Sequence, residues 1–172
     1  TVWQTSNAWE QICPSRYNFP SVRTMGECST FGLGLAIARP DKRIIVLDGD
    51  GSLCMNLGSL ITIATAAPQN FYQFIMHNKV YETTGGQTLP NIDNLDLIMI
   101  ARGAGITQVH RYGNLEDLGR ELPLLLKEKG PIFTVLDIEP DDTHVAGGRD
   151  FGMKIRSRDT FFNKQFKEAL AD

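Results

Sequence analysis

Long apolar runs are missing from this sequence. Stretches such as Ile44 to Leu47 and Ile98 to Ile100 fall far short of the roughly 20 residues that cross a bilayer, so no membrane span is predicted. Basic charge is scarce too: 17 Lys and Arg stand against 20 Asp and Glu, for a net charge of −3. Such a chain offers no positive field to a phosphate backbone, which excludes nucleic acid as an expected partner. Cysteine is rare, with Cys13, Cys28 and Cys54 forming an odd set without CxxC spacing. That pattern speaks against a disulfide framework or a zinc site and predicts reduced thiols in a cytoplasmic protein. Neither internal repeats nor low-complexity tracts are present.

What remains is ordinary globular material: 172 residues, 42% hydrophobic and 22% charged, enough to bury one core without staples. Arg43 to Asp48, Phe71 to His77 and Ile132 to Ile138 are short runs rich in β-branched and aromatic residues, expected as parallel strands buried on both faces. Between the first two, Leu53, Leu57, Leu60, Ile61 and Ala64 recur at helical spacing up to Ala67-Pro68. Further helices are predicted from about Asp93 to Ala104 and from Asn114 to Lys129, the latter capped by Asn114 and stopped by Gly130-Pro131. Strands alternating with helices imply an α/β fold: a three-layer, doubly wound, mostly parallel sheet. The composition changes after Pro140, dividing the chain into a domain over 1–140 and an extension over 141–172. That extension carries a helix near Thr160 to Ala171, expected to pack on the domain or on a partner.

The chemistry concentrates at one strand end. Asp48-Gly49-Asp50-Gly51-Ser52 follows the first strand, where ligands bind in open α/β sheets. Gly49 and Gly51 permit a sharp turn and close approach, and Ser52 is expected to cap a helix starting near Leu53. A helix N-terminus there suits a phosphate. Asp50 would repel that phosphate unless a hard cation lay between them, and Mg²⁺ suits a carboxylate plus phosphate oxygens. The next strand ends in His77-Asn78-Lys79-Val80, and 27 residues lie between Asp50 and Asn78, room for one helix and one strand. Asn78 offers an amide oxygen and Val80 a backbone carbonyl. The Gly51 N–H and the Ser52 hydroxyl are the expected phosphate contacts; Thr5, Ser6 and Asn7, expected after a truncated first strand, are weaker ones.

Gly49-Asp50-Gly51-Ser52 with Asn78 resembles the motif of thiamine diphosphate-dependent enzymes, Gly-Asp-Gly followed by Asn-Asn, with His77 standing for the first Asn. The resemblance implies the diphosphate-gripping (PP-type) domain of that fold, with Mg²⁺ held by Asp50, Asn78 and the Val80 carbonyl. Thr24-Met25-Gly26, followed by Gly32, Gly34 and Ala36, is similar to the segment that holds the aminopyrimidine ring. There, backbone groups of Arg23 and Met25 would bond the ring and the Met25 side chain would bend the cofactor; an ordinary core methionine is the alternative. Tyr81 to Gln87 and the tail Gly148 to Gly152 with Asn163 are similar to phosphonopyruvate and sulfopyruvate decarboxylases. That implies a decarboxylase of small anionic 2-oxoacids; acetolactate-synthase-like carboligases and a non-catalytic cofactor-holding subunit are the alternatives. Tyr81 joins the implied cofactor contacts.

In that family a Glu on a second domain protonates the pyrimidine, and a chain of this length has room for one domain. A separate pyrimidine-binding (α-type) subunit is therefore expected to supply it, in an α2β2 or larger assembly. Glu82 is a candidate proton relay or else a solvated loop acid, and His77 a second proton carrier or else a polar group bonded at the strand end. Lys79, Arg149 or the partner would supply the cation for an anionic substrate. His110 and His144 are expected in solvated loops.

Overall fold

The β-branched runs form strands as expected. The computed structural model describes residues 3–19, 25–140 and 164–171. Within them β1 (Ile44–Gly49), β2 (Phe71–His77), β5 (Gln108–Tyr112) and β6 (Ile132–Asp137) build a parallel sheet of order β1-β2-β6-β5. β3 (Val80–Tyr81) and β4 (Gln87–Thr88) make a small antiparallel pair beside it. The helices are α1 (Trp3–Ile12), α2 (Cys28–Ala38), α3 (Asp50–Cys54), α4 (Ser59–Ala66), α5 (Leu97–Gly103) and α6 (Leu115–Leu125).

Side-chain alternation along the strands divides the core in two. One face carries Val46, Phe71, Ile75, Phe133 and Val135 beneath α2, α4 and α5. The other carries Tyr72, Phe74 and Ile132 beneath Leu122 and Leu125 of α6. The three-layer α/β architecture is thereby present. Helix α2 lies so close to β1 that a Cβ on Gly32 would sit 2.3 Å from Val46 Cγ2, so this glycine of the Gly32–Ala38 run serves packing. At the entry to the strands, Asn70 Nδ2 donates to the carbonyls of Ala36, Arg39 and Lys42, tying the end of α2 to the starts of β1 and β2.

Several boundaries differ from expectation for local reasons. The helix expected over Leu53 to Ala67 is two helices. The Asn56 side chain leaves to bond Gly26 while its carbonyl accepts the N–H and hydroxyl of Ser59, and Gly58 weakens continuation. Ser52 is not a cap: the helix begins at Asp50 with Gly49 as its N-cap, so Ser52 lies inside it. Asn114 does cap α6, accepting from the Asp117 N–H at 2.8 Å, but that helix stops at Leu125, just after Pro123. α5 starts at Leu97, capped by Asp96, rather than near Asp93. Thr5 and Ser6 belong to helix α1 instead of following a strand, the polar Gln4-Thr5-Ser6-Asn7 stretch lacking a β-branched run. His110 lies on the unforeseen edge strand β5, not in a loop, and its burial lowers its pKa.

The tail helix, α7 over residues 164–171, packs on the domain. Phe166 and Ala169 are buried, the Phe166 ring meets that of Phe19, and Arg39 donates to the Leu170 carbonyl. His144, Arg149, the Gly148 to Gly152 stretch and Asn163 lie outside the described residues, as do Arg23 and Thr24. No described helix is long and apolar enough to cross a membrane, and Cys13, Cys28 and Cys54 form no disulfide.

Candidate functional site

The strand register aligns the carboxyl ends of the sheet. Gly49 pairs with Met76, Met76 with Leu136, and Leu136 with Tyr112. The residues that follow, Asp50 after β1 and Asn78 after β2, therefore emerge side by side, as a right-handed crossover through α3 and α4 requires.

Asp50 is 2% exposed, and a carboxylate so deeply buried must be well bonded. Its Oδ2 meets His77 Nδ1 at 2.8 Å and accepts the Lys79 N–H at 2.7 Å, while Oδ1 accepts the Gly51 N–H at 2.7 Å. Asp50 thus grips both sequence neighbours of Asn78. An ionised carboxylate has about four acceptor positions, so these three bonds leave capacity for a cation. Lys79 pays for its place with a left-handed backbone, φ +70°, pinned on one side by Asp50 and on the other by the Leu89 N–H bonded to its carbonyl. The Lys79 side chain is exposed.

Asn78 is oriented from both ends. Its Oδ1 accepts the Val80 N–H at 3.1 Å and its Nδ2 donates to Glu82 Oε2 at 2.5 Å, which places Glu82 against Asn78. Val80 opens β3, and the ring of its neighbour Tyr81 lies close against the turn: a Cβ on Gly51 would come within 2.7 Å of that ring. Gly51 is therefore required by close approach. The Asp50 carboxylate and the Asn78 amide, with the Val80 backbone next in sequence, offer only oxygen donors, the chemistry a hard divalent cation takes. Among the described residues no cluster of three His, Cys, Asp or Glu side chains competes as a metal site.

Beneath the turn lies Asp48, 1% exposed. Its Oδ1 accepts the Gly49 N–H at 2.9 Å and its Oδ2 has no hydrogen-bond partner. Burial pushes its pKa up to about 6, against the opposing pull of Ser52 and of the Gly49 N–H.

Sequence reasoning missed three features. His77 reaches Asp50; Ser52 Oγ accepts the Gly26 N–H at 3.0 Å; and Asn56 Nδ2 donates to the Gly26 carbonyl at 3.0 Å. The last two connect α3 and the break after it to the Met25-Gly26 turn, with Met25 packed against the core and Gly26 at φ +84°. Each joins residues 26 to 30 positions apart, and only the positive φ at a glycine had a local signal. The Gly51 N–H and Ser52 hydroxyl, expected to meet phosphate, are engaged within the chain.

Residues 2–136 match the family described as "Thiamine pyrophosphate enzyme, C-terminal TPP binding domain". The chain is 38% identical over 148 residues to a phosphonopyruvate decarboxylase of Streptomyces hygroscopicus, covering 86% of this chain and 36% of that protein. It is 37% identical over 134 residues to the sulfopyruvate decarboxylase subunit beta of Methanothermobacter thermautotrophicus, covering 78% of this chain and 69% of that one. It thus spans about a third of the first relative's length. Among solved structures, the thiamine diphosphate-dependent 4-hydroxybenzoylformate decarboxylase of Rhodococcus jostii superposes with a TM-score of 0.55 at 21% identity, covering 68% of this chain and 23% of that one. That likeness concerns the fold. With the glycine-flanked Asp50 and the adjoining Asn78 in place, the chain belongs to the thiamine pyrophosphate enzymes, as their C-terminal TPP-binding domain.

Proposed function

We propose that this chain is the cofactor-gripping component of a thiamine diphosphate-dependent decarboxylase of small anionic 2-oxoacids, of the sulfopyruvate or phosphonopyruvate type. The observation that supports it most is the Asp50 carboxylate, buried yet left with acceptor capacity beside Asn78. In this reading Asp50, Asn78 and the Val80 carbonyl hold Mg²⁺ against the cofactor's diphosphate. When bound, the cofactor supplies the electron sink for loss of CO₂.

The chain's own residues bind and orient. His77 is a positioning residue that aims the Asp50 carboxylate, and Glu82 holds the Asn78 amide nitrogen, which leaves the amide oxygen, already accepting the Val80 N–H, as the atom that would meet the metal. Glu82 also stands next to the site as a group able to hold a proton. Tyr81 covers the Gly51 turn and keeps water from it, and Met25 supports the middle of the cofactor. Relatives named "subunit beta" favour a second, α-type chain supplying the Glu that protonates the pyrimidine, in an α2β2 or larger assembly; Lys79 or that partner would meet the substrate's anionic group.

The test is CO₂ release from sulfopyruvate and phosphonopyruvate with Mg²⁺ and thiamine diphosphate, using this chain with and without its co-purifying partner. Turnover is expected only in the pair. Full turnover by the chain alone would refute the divided active site, and no turnover of either acid by the pair would refute the substrate class.

A further inference from the structure

The Gly26 peptide is held on both sides by one short stretch of chain. Ser52 Oγ accepts its N–H and Asn56 Nδ2 donates to its carbonyl, each at 3.0 Å. Gly26 and Ser52 are buried, and Gly26 adopts φ +84°, where a Cβ would also press on Met55 at 3.2 Å. Ser52 follows Asp50 by two positions within α3, and Asn56 stands at the break between α3 and α4. Asn56 forgoes helix continuation here, its side chain leaving for a contact 30 residues back. Interrupting a helix to satisfy one distant carbonyl has a structural cost that a purely local turn would not incur.

We infer that Asn56, with Ser52, is a positioning residue that staples the Met25-Gly26 turn to the diphosphate-gripping turn, so that the spacing between the cofactor's ring and its diphosphate is built into the chain before any ligand arrives. The inference rests on the function proposed above, because it takes Met25 as the support of the cofactor's middle and Asp50 as the anchor of its tail. Its specific content is a separation of effects. Losing the staple leaves the Asp50 and Asn78 anchor intact and loosens only the grip on the ring.

The experiment compares two probes on the complete protein with Mg²⁺ present: inorganic pyrophosphate, which reports the anchor alone, and thiamine diphosphate, which reports anchor and ring together. Asn56→Asp keeps the shape but removes the donor, and Asn56→Ala removes the side chain. Both variants are expected to bind thiamine diphosphate roughly ten-fold more weakly, as loss of one half-buried hydrogen bond implies, with pyrophosphate affinity unchanged. A variant that is partly unfolded loses both affinities in proportion, so a merely structural role gives a different result. Equal weakening of both probes, or no weakening of either, overturns the staple. Wild-type protein that binds neither probe overturns the proposed function instead. Should both variants fail to fold, amide exchange in the wild type decides: the Gly26 N–H is expected to be protected before cofactor is added, and exchange at the rate of an open loop overturns the inference.

Discussion

Two neighbouring strand ends of this sheet each present an aspartate facing a nitrogen side chain, and they differ in what is left over. At the ends of β5 and β6, Asp137 is bonded through both oxygens to the fork of Arg111, at 2.8 Å each, with 33% and 43% of the two side chains exposed. A guanidinium is always charged and matches a carboxylate edge to edge, so that pair is neutral and closed. At the ends of β1 and β2, Asp50 meets an imidazole, which carries charge only when protonated, and two backbone N–H groups; the whole is almost sealed from water. The acid is held in place without a guanidinium to cancel its charge. A buried carboxylate kept in that state invites a cation, whereas the Arg111–Asp137 pair invites nothing.

The contrast breaks most severely if Asp50 loses its side-chain donor. His77→Leu is expected to cost roughly 3–5 kcal/mol in urea unfolding of the metal-free protein, because it strands a buried charge, while His77→Asn, which keeps a donor, should cost far less and retain Mg²⁺-dependent cofactor binding. A loss of less than 1 kcal/mol in the Leu variant would show that the two N–H groups suffice.

Asp48 sharpens the comparison as a second buried acid, one with no partner for its Oδ2. With its folded pKa raised to about 6, the folded chain keeps a proton that the unfolded chain has released between about pH 4 and 6. The metal-free protein therefore loses stability as pH rises across that window. Asp48→Asn should flatten this dependence and raise stability at pH 8 by about 3 kcal/mol. An unchanged pH profile of thermal unfolding would contradict the assignment. The smallest effect belongs to the exposed pair: Arg111→Ala should cost at most about 1 kcal/mol and leave cofactor affinity untouched, as calorimetric titration would show.

The two strand ends were not equally legible in the sequence. β1, β2 and β6 stand out as runs of β-branched and aromatic residues, and Asp50 and Asn78 as polar residues just past two of them. β5 was hidden because an edge strand tolerates polar and charged residues, and Gln108-Val-His-Arg-Tyr112 alternates them. That the β1-α3-α4-β2 crossover brings the His77-Asn78 strand end to Asp50 was legible; that Asp50 is the group His77 bonds was not, because no side-chain pattern marks which neighbour the imidazole takes. The role of Ser52 was misread for a related reason. A serine after a glycine-rich turn is most simply a cap, and its engagement with Gly26 depends on where a distant loop returns.

The central claim is that the β1-β2 strand end is an open anion-plus-cation site anchored on Asp50. Calorimetric titration of thiamine diphosphate into the complete protein, with Mg²⁺ and with chelator, for wild type and Asp50→Ala, tests it most directly. The account predicts binding that requires Mg²⁺ in the wild type and is lost in a variant that still folds. Equal affinity in the variant, or binding indifferent to Mg²⁺, would contradict it.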